Sequence, residues 1–428
     1  MTIEKTFIET EPSLLRVLVL IADTGGDNEV GIERRKQEMC SLVSTMGSHV
    51  VDTVTVRLHA FVPATLIGSG KIEELRESAQ QSQIDCIVFE CDISPRQQRN
   101  LEQLLDLAVI DRQEVILQIF SNTARTKEST LQVALARSLY SLPRLKRRWT
   151  HLSRQQGGAK GTRGEGEKQL EIDKRIVNRN IQVIRKELNK IERQRQTQRK
   201  NRQTSPIVNA AIVGYTNAGK SSLLKALSNS DILVEDKLFA TLEPVTRKVT
   251  LPGNHQILLS DTVGFVSRLP HHLVESFKST LEEVTYSDLI IHLLDASHPD
   301  MYQCYETTRE VLSSLGCEHI PTIYVINKID SIENPFICNR LMHELPGTVG
   351  ISVKDRLGLD ELKNMIVRAL IESYRETTLL IPYQHQKLLS TLHTQGEVIS
   401  VDYQEEGAVV EAKIPPRIFD QMRIYSMT

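Results

Sequence analysis

Gly214, Tyr215, Thr216, Asn217, Ala218, Gly219, Lys220 and Ser221 form a G-x-x-x-x-G-K-S run, and this run limits the folds open to the chain more than any other feature. The apolar segment Ala210 to Val213 precedes it, and Ser222, Leu223 and Leu224 follow it. That order predicts a strand, a glycine-rich turn and a helix. In such a turn the backbone N–H groups face an anion at the helix N-terminus. Lys220 adds cationic charge at the outer phosphates, and the Ser221 hydroxyl is a hard oxygen donor for Mg2+.

Two further runs follow in chain order, each after an apolar strand candidate. Asp261, Thr262, Val263 and Gly264 follow LLS. An acidic group at a strand end can hold Mg2+ or one of its waters, and Gly264 can offer an unhindered N–H to a terminal phosphate. Asn327, Lys328, Ile329 and Asp330 follow TIYVI. A carboxylate set against the base can accept two hydrogens from guanine, whereas adenine presents an acceptor there and lacks the second amine. Asp330 therefore selects a guanine nucleotide, with Asn327 bracing the loop and Lys328 packing its stem over the base.

Around this core, 428 residues allow about two to four domains. The expected divisions are 1–125, 126–204, 205–372 and 373–428. The first segment alternates LLRVLVLIA, IERRKQEMCSLVSTMG, VVDTVTV, KIEELRESAQ, CIVFE, LEQLLDLA and VILQIF, a pattern of apolar runs and amphipathic stretches. It predicts a small α/β domain with a largely parallel sheet. Within it, IGSGK at 67–71 lacks the full phosphate-loop spacing and reads as a tight turn supporting a helix. Leu131, Leu135, Ser138 and Leu142 share one helical face, and Leu170, Val177, Ile181, Ile184, Leu188 and Ile191 form a second seam. These two helices are expected to pair antiparallel around a glycine-rich basic tip. The tail carries EVISVDYQ and GAVVEAKI, strand-like runs of a small α+β appendage.

Charge is unevenly spread. Residues 144–202 hold 19 lysines or arginines against 6 acidic residues, although the whole chain has a formal charge of −2. Such a segment suits a solvated helix, a nucleic-acid surface or an anionic membrane. The apolar run Leu14 to Ala22 contains Arg16 and is too short to span a bilayer. MTIEKTFIET lacks the pattern of a secretory signal, and Cys40, Cys86, Cys91, Cys304, Cys317 and Cys338 form no C-x-x-C pair. A cytoplasmic setting with reduced cysteines is the expectation.

The chain resembles the HflX-type GTPases, P-loop GTPases close to the Obg group. GYTNAGKS, LFATLEPVTR at 238–247, DTVGF at 261–265 and NKID carry the likeness within one domain. SPRQQRNLE at 94–102, VIDR at 109–112, LQVALA at 131–136, YSLPRL at 140–145, SRQQGG at 153–158, RGEGEKQLE at 163–171 and LPHHLVESFKSTLEEV at 269–284 extend it over roughly residues 30 to 370. The resemblance implies a P-loop GTPase domain with a mostly parallel sheet, binding GTP or GDP with Mg2+. It also implies that Phe239, Ala240, Thr241, Leu242 and Glu243 belong to the first switch segment. Thr241 would then join Ser221 as a Mg2+ ligand, with Thr246 as an alternative, and Lys220, Thr241 and Gly264 would serve hydrolysis. Ser352, Val353 and Lys354 would close the guanine pocket. Departures from the usual pattern are Glu243 for Asp, Val245 for Thr, Ala134 for Glu and Val353 for Ala.

Phe265 follows Gly264 and has no acceptor able to orient a water, so GTP hydrolysis is expected to be slow without a partner. The resemblance implies that this partner is the large ribosomal subunit with its ribosomal RNA, with separation of stalled ribosomes as a consequence. The basic tip fits irregular RNA, since Lys146, Arg147, Arg148 and Arg154 surround Trp149, which can stack on a base or pack internally. No DNA partner is expected, the chain reads as a monomer, and peripheral membrane association stays open. A different reading is an RNA-binding scaffold that uses guanine nucleotide only to set its conformation.

Overall fold

In the computed structural model of the chain, the described residues are 14–26, 28–58, 62–145, 163–203, 207–228, 238–239, 242–265, 283–332, 342–345, 347–372, 374–415, 418–419 and 422–427. They divide into two compact units, one of residues 1–125 with 133–185, the other of 126–132 with 186–428.

The first unit is built on a four-stranded parallel sheet ordered β2-β1-β3-β4. The strands are β1 (Arg16–Asp23), β2 (His49–Arg57), β3 (Cys86–Phe89) and β4 (Ala108–Asp111). Between them run α1 (Glu29–Met46), α2 (Ser69–Gln81) and α3 (Pro95–Leu105), and α4 (Arg112–Thr123) follows β4. β1 reads as an unbroken apolar run because both of its faces are covered, and Val17 to Ile21 are almost fully buried. Each helix start has a local cause. Asn28 accepts from the Gly31 amide, Ser94 and Gln97 form a capping box ahead of Pro95, and Asp111 accepts from the Glu114 amide. Gly68 caps α2, and Ser69, Gly70 and Lys71 form its first turn, so IGSGK opens a helix as expected but is not itself a tight turn.

VILQIF corrects the alternation at its end: it lies inside α4, and the short AVID strand before it completes the sheet. Its residues are buried on nearly every side, which removes the period that distinguishes a helix from a strand.

α5 (Lys127–Ser141) and α6 (Arg163–Gln203) form the helical pair. At the start of α5, Lys127 pairs with Glu187 at 3.4 Å and Glu128 with Arg195 at 2.8 Å. At its other end, Tyr140 and Ser141 line one cavity with Val177. Low-numbered positions on α5 thus meet high-numbered ones on α6, and the reverse holds, which is an antiparallel pairing. Ile181 is buried within the expected seam, and Val177, Ile184, Leu188 and Ile191 are half-buried. α6 starts at Arg163.

The second unit holds a six-stranded sheet ordered β10-β9-β8-β5-β7-β6. Its strands are β5 (Val208–Gly214), β6 (Val245–Thr250), β7 (Gln256–Asp261), β8 (Leu289–Asp295), β9 (Thr322–Asn327) and β10 (Thr348–Gly350). Only β6 runs antiparallel to its neighbour. Along β5, Ala210 and Ile212 join one core while Ala211 and Val213 join the other, so helices shield both faces. These helices include α7 (Lys220–Ser228), α8 (Met301–Ser314) and α9 (Leu359–Glu372). A three-stranded antiparallel sheet, β11 (Arg375–Ile381), β13 (Gly407–Ile414) and β12 (Glu397–Gln404), packs with α10 (Gln386–Gln395) and forms the expected appendage. Among the described residues no helix is long and apolar enough to cross a membrane, and no disulfide joins the cysteines.

Candidate functional site

The loop after β5 turns sharply because Gly214 lies against β8: a Cβ there would sit 2.3 Å from the Leu293 carbonyl oxygen. Thr216 donates its amide to the Phe265 carbonyl at 2.7 Å, and Phe265 donates to Gly214 at 3.2 Å. These bonds tie the loop to the segment following Asp261. Asn217 at φ 61° and Gly219 at φ 94° complete the turn into α7.

Lys220 is almost wholly buried, and its Nζ donates to the carbonyls of Tyr215 at 2.9 Å and Gly214 at 3.2 Å. Burial pulls its ammonium pKa down to about 8, with Asp261 opposing the shift. Gly264 sits directly beside this ammonium. A Cβ at that position would lie 2.8 Å from Thr216 Cγ2 and 2.9 Å from Lys220 Nζ. The close approach reserves the space for backbone alone.

The Ser221 hydroxyl donates to Asp261 Oδ2 at 2.6 Å. A hydroxyl and a carboxylate from the two motifs therefore converge as hard oxygen donors, a set that suits Mg2+. No cluster of three or more His, Cys, Asp or Glu suited to a metal occurs among the described residues. Magnesium does not require one, since it is commonly held by one or two protein oxygens together with phosphate. Thr262 donates its hydroxyl to the Ile212 carbonyl at 2.7 Å, fixing this segment to β5, and Val263 is nearly buried beside it. Phe265 turns its ring into the core with Val213, Val284 and Leu312. The residue after Gly264 thus presents no polar atom to the site.

Asn327 joins two loops. Its Nδ2 donates to the Ala218 carbonyl at 2.9 Å, and its Oδ1 accepts from the Val353 amide at 3.2 Å. Lys328, at φ 64°, pairs with Asp295 at 2.7 Å, and Ile329 takes a backbone bond from its amide to the Ile351 carbonyl at 3.3 Å. Asp330 is exposed, and the Ser352 hydroxyl, the main cause, holds its carboxyl below the usual range, with Lys354 contributing. Ser352 is fully buried and its Oγ accepts from the Asp355 amide at 3.1 Å, which shapes the turn that carries Val353 and Lys354. Valine at 353 leaves the amide of that turn in place.

Of the expected first switch segment, Phe239 and Leu242 are buried, while Ala240 and Thr241 lie outside the described residues. Glu243 turns its carboxylate to the start of α5, accepting from the Thr126 amide at 2.7 Å and from Ser129 Oγ at 2.6 Å. Thr246 lies within β6, its hydroxyl bonded to that of Ser260 at 2.8 Å. Two residues of the site escaped sequence reasoning. Asp295 ends the apolar run LIIHLLD as Asp261 ends its own, so the same strand-end acid marked it. His292, buried in β8 and stacked on Tyr305 at 5.5 Å, carried no such mark; burial lowers its pKa to about 3, with the Lys220 charge adding to this.

A doubly wound sheet whose strand ends bring these loops together defines a P-loop protein built for a guanine nucleotide. Family models match along most of the chain: "GTP-binding GTPase N-terminal" at residues 33–121, "GTP-binding GTPase Middle Region" at 123–202 and "50S ribosome-binding GTPase" at 209–328. A GTPase HflX of Akkermansia muciniphila is 43% identical, covering 98% of this chain and 98% of its own. That of Escherichia coli is 37% identical over 91% of each. The chain belongs to the HflX GTPase family. Among solved structures, the complex of SsGBP with GDP aligns with 83% of this chain and 98% of its own at 23% identity, with a TM-score of 0.48.

Proposed function

We propose that this chain hydrolyses GTP slowly alone, docks on the large ribosomal subunit and turns over faster there, acting as a monomer in the cytoplasm and separating stalled ribosomes. The observation that carries the nucleotide part is the convergence of Lys220, Gly264, the Ser221–Asp261 pair and the Asn327 bridge on one loop. In this reading the amides of residues 214–221 and Lys220 hold the phosphates. Ser221 and Thr241 would hold Mg2+, with Asp261 bonded to Ser221, and the metal would supply positive charge to the phosphate oxygens. Lys220 exchanges its bonds to the Gly214 and Tyr215 carbonyls for phosphate oxygens. Gly264 offers its amide to the terminal phosphate, and Asp330 reads guanine beside Ser352, Val353 and Lys354.

Support for a stimulating partner comes from Phe265, whose buried ring leaves the position after Gly264 without a group to orient water. Support for the ribosome comes from the matched description "50S ribosome-binding GTPase" and from the basic segment. Within that segment α6 exposes Lys174, Arg175, Arg179, Arg185, Lys186 and Lys190, a row suited to phosphates. The basic tip with Trp149 lies outside the described residues. The division into segments 1–125, 126–204, 205–372 and 373–428 belongs to the same proposal, the first two reaching the subunit.

Phosphate release in single-turnover reactions, with and without purified large subunits, tests this reading. The subunit is expected to raise the rate at least about tenfold, because positioning and electrostatic stabilisation are worth orders of magnitude. A rate near ~1 s⁻¹ for the isolated chain, typical of an efficient unaided enzyme, that subunits leave unchanged contradicts the dependence on a partner. Turnover that stays negligible even with subunits favours the scaffold reading.

A further inference from the structure

Glu243 stands 114 residues beyond Ser129, yet its Oε1 accepts both the Ser129 hydroxyl and the Thr126 amide. Nothing local brings these groups together. Ser129 is almost fully buried, and it exchanges reciprocal bonds with Thr126 at 3.2 Å in the first turn of α5. The Glu243 carboxylate thus adds negative charge to a helix start that its own Thr–Ser pair already caps, where the macrodipole favours an anion. The same turn is tied to α6 by Glu128 and Arg195 at 2.8 Å.

The other side of Glu243 leads to the nucleotide loops. Leu242 before it is buried, and Val245 after it starts β6 in register with Asp261, the acceptor of the Ser221 hydroxyl. One short stretch of backbone is therefore held on one side by the start of α5 and on the other by the strand that ends in Asp261. Thr241 lies two residues upstream in the chain.

We infer that Glu243 is a positioning residue: its bonds to Thr126 and Ser129 hold the segment following Thr241 in the place that favours a triphosphate with Mg2+ over a diphosphate, and so couple that site to the helix α5. The inference rests on the nucleotide reading above. It concerns preference between the two nucleotide states, because only the triphosphate engages a segment of this kind. Coupling is reciprocal, so whatever shifts the start of α5 shifts that preference by the same factor.

Affinities of a non-hydrolysable GTP analogue with Mg2+, and of GDP, are to be measured for wild type, Glu243→Ala, Ser129→Ala, the double variant and Glu243→Gln, with melting temperatures alongside. Glu243→Ala is expected to weaken the analogue about tenfold, the scale of a charge-assisted hydrogen bond, and GDP less than about twofold. The double variant should lose little more than Glu243→Ala, which already removes both bonds, while Ser129→Ala removes one of them and should lose less. Glu243→Gln keeps the length and an acceptor oxygen and should recover most of the preference. Equal losses for both nucleotides, no loss for either, or no recovery by Gln overturn the inference. A wild type indifferent to guanine overturns the nucleotide reading and this inference with it, whereas a selective wild type with an insensitive Glu243→Ala overturns the coupling alone.

Discussion

Asn327→Ala removes a side chain that ties the 214–221 loop to the turn carrying Val353. Asn327 is 3% exposed, and its amide spans from the Ala218 carbonyl at 2.9 Å to the Val353 amide at 3.2 Å. Each bond contributes about 1 kcal/mol net, and each partner left unsatisfied in a buried place costs a similar amount again, so the total loss is about 2–4 kcal/mol. A bound nucleotide needs both loops in place, so the loss divides between stability and affinity. Half of it in binding corresponds to about a 5- to 30-fold weaker Kd. Titration calorimetry with GDP and with a GTP analogue reads the affinity, and urea denaturation of the nucleotide-free chain reads the remainder. Asn327→Asp should be no better, since it sets a carboxylate against the Ala218 carbonyl. If Asn327→Ala binds both nucleotides within about twofold of wild type and unfolds at the same urea concentration, the bridge is not the brace argued here.

Gly264→Ala places a methyl within 2.9 Å of both Thr216 Cα and Lys220 Nζ, and the backbone contact cannot swing away. Overpacking of about 1–3 kcal/mol predicts at least about a fivefold loss in triphosphate affinity, read by displacement of a fluorescent analogue. Burial lowers the Lys220 pKa from its ordinary 10.5 to about 8, and phosphates favour its charged form. Nucleotide binding at pH 8 to 8.5 should take up protons and weaken as pH rises, as calorimetry in buffers of different ionisation heat would reveal, and Lys220→Met should abolish the uptake. Without nucleotide the unfolded state holds this proton more tightly, so the Lys220 contribution to stability rises with pH through the window from about 8 to 10.5. Changing Arg147, Arg148, Arg154 and Lys160 to Gln should weaken association with large ribosomal subunits and flatten its salt dependence, while GTP affinity stays unchanged.

Much of the nucleotide site was legible because its chemistry is local in sequence. The run 214–221 dictates a strand, a turn and a helix within about fifteen residues, and Asp261 and Asn327 announce themselves at the ends of apolar strands. The two C-terminal strands were equally plain in EVISVDYQ and GAVVEAKI, whereas their pairing comes from the structure. What escaped depends on distance or on burial. The Glu243 bonds to Thr126 and Ser129 join segments more than a hundred residues apart, and hydrogen-bond partners leave no periodic trace. VILQIF lost its helical period because almost all of it is buried. Lys328 was expected to lend its stem to the base, and the structure adds an ion pair with Asp295 that only the alignment of β8 with β9 supplies. That 67–71 opens a helix rather than a phosphate loop was readable, since a phosphate loop needs the complete spacing that those residues lack.

The most direct test of the proposed function is sedimentation of the full chain with purified large ribosomal subunits, comparing a GTP analogue with GDP across a salt series. The proposal predicts co-sedimentation with the analogue, release with GDP, and loss of binding as salt rises and counterions compete for the phosphates. Equal binding in both nucleotide states, or binding to small subunits as strong as to large ones, would contradict a guanine-nucleotide switch that acts on the large subunit.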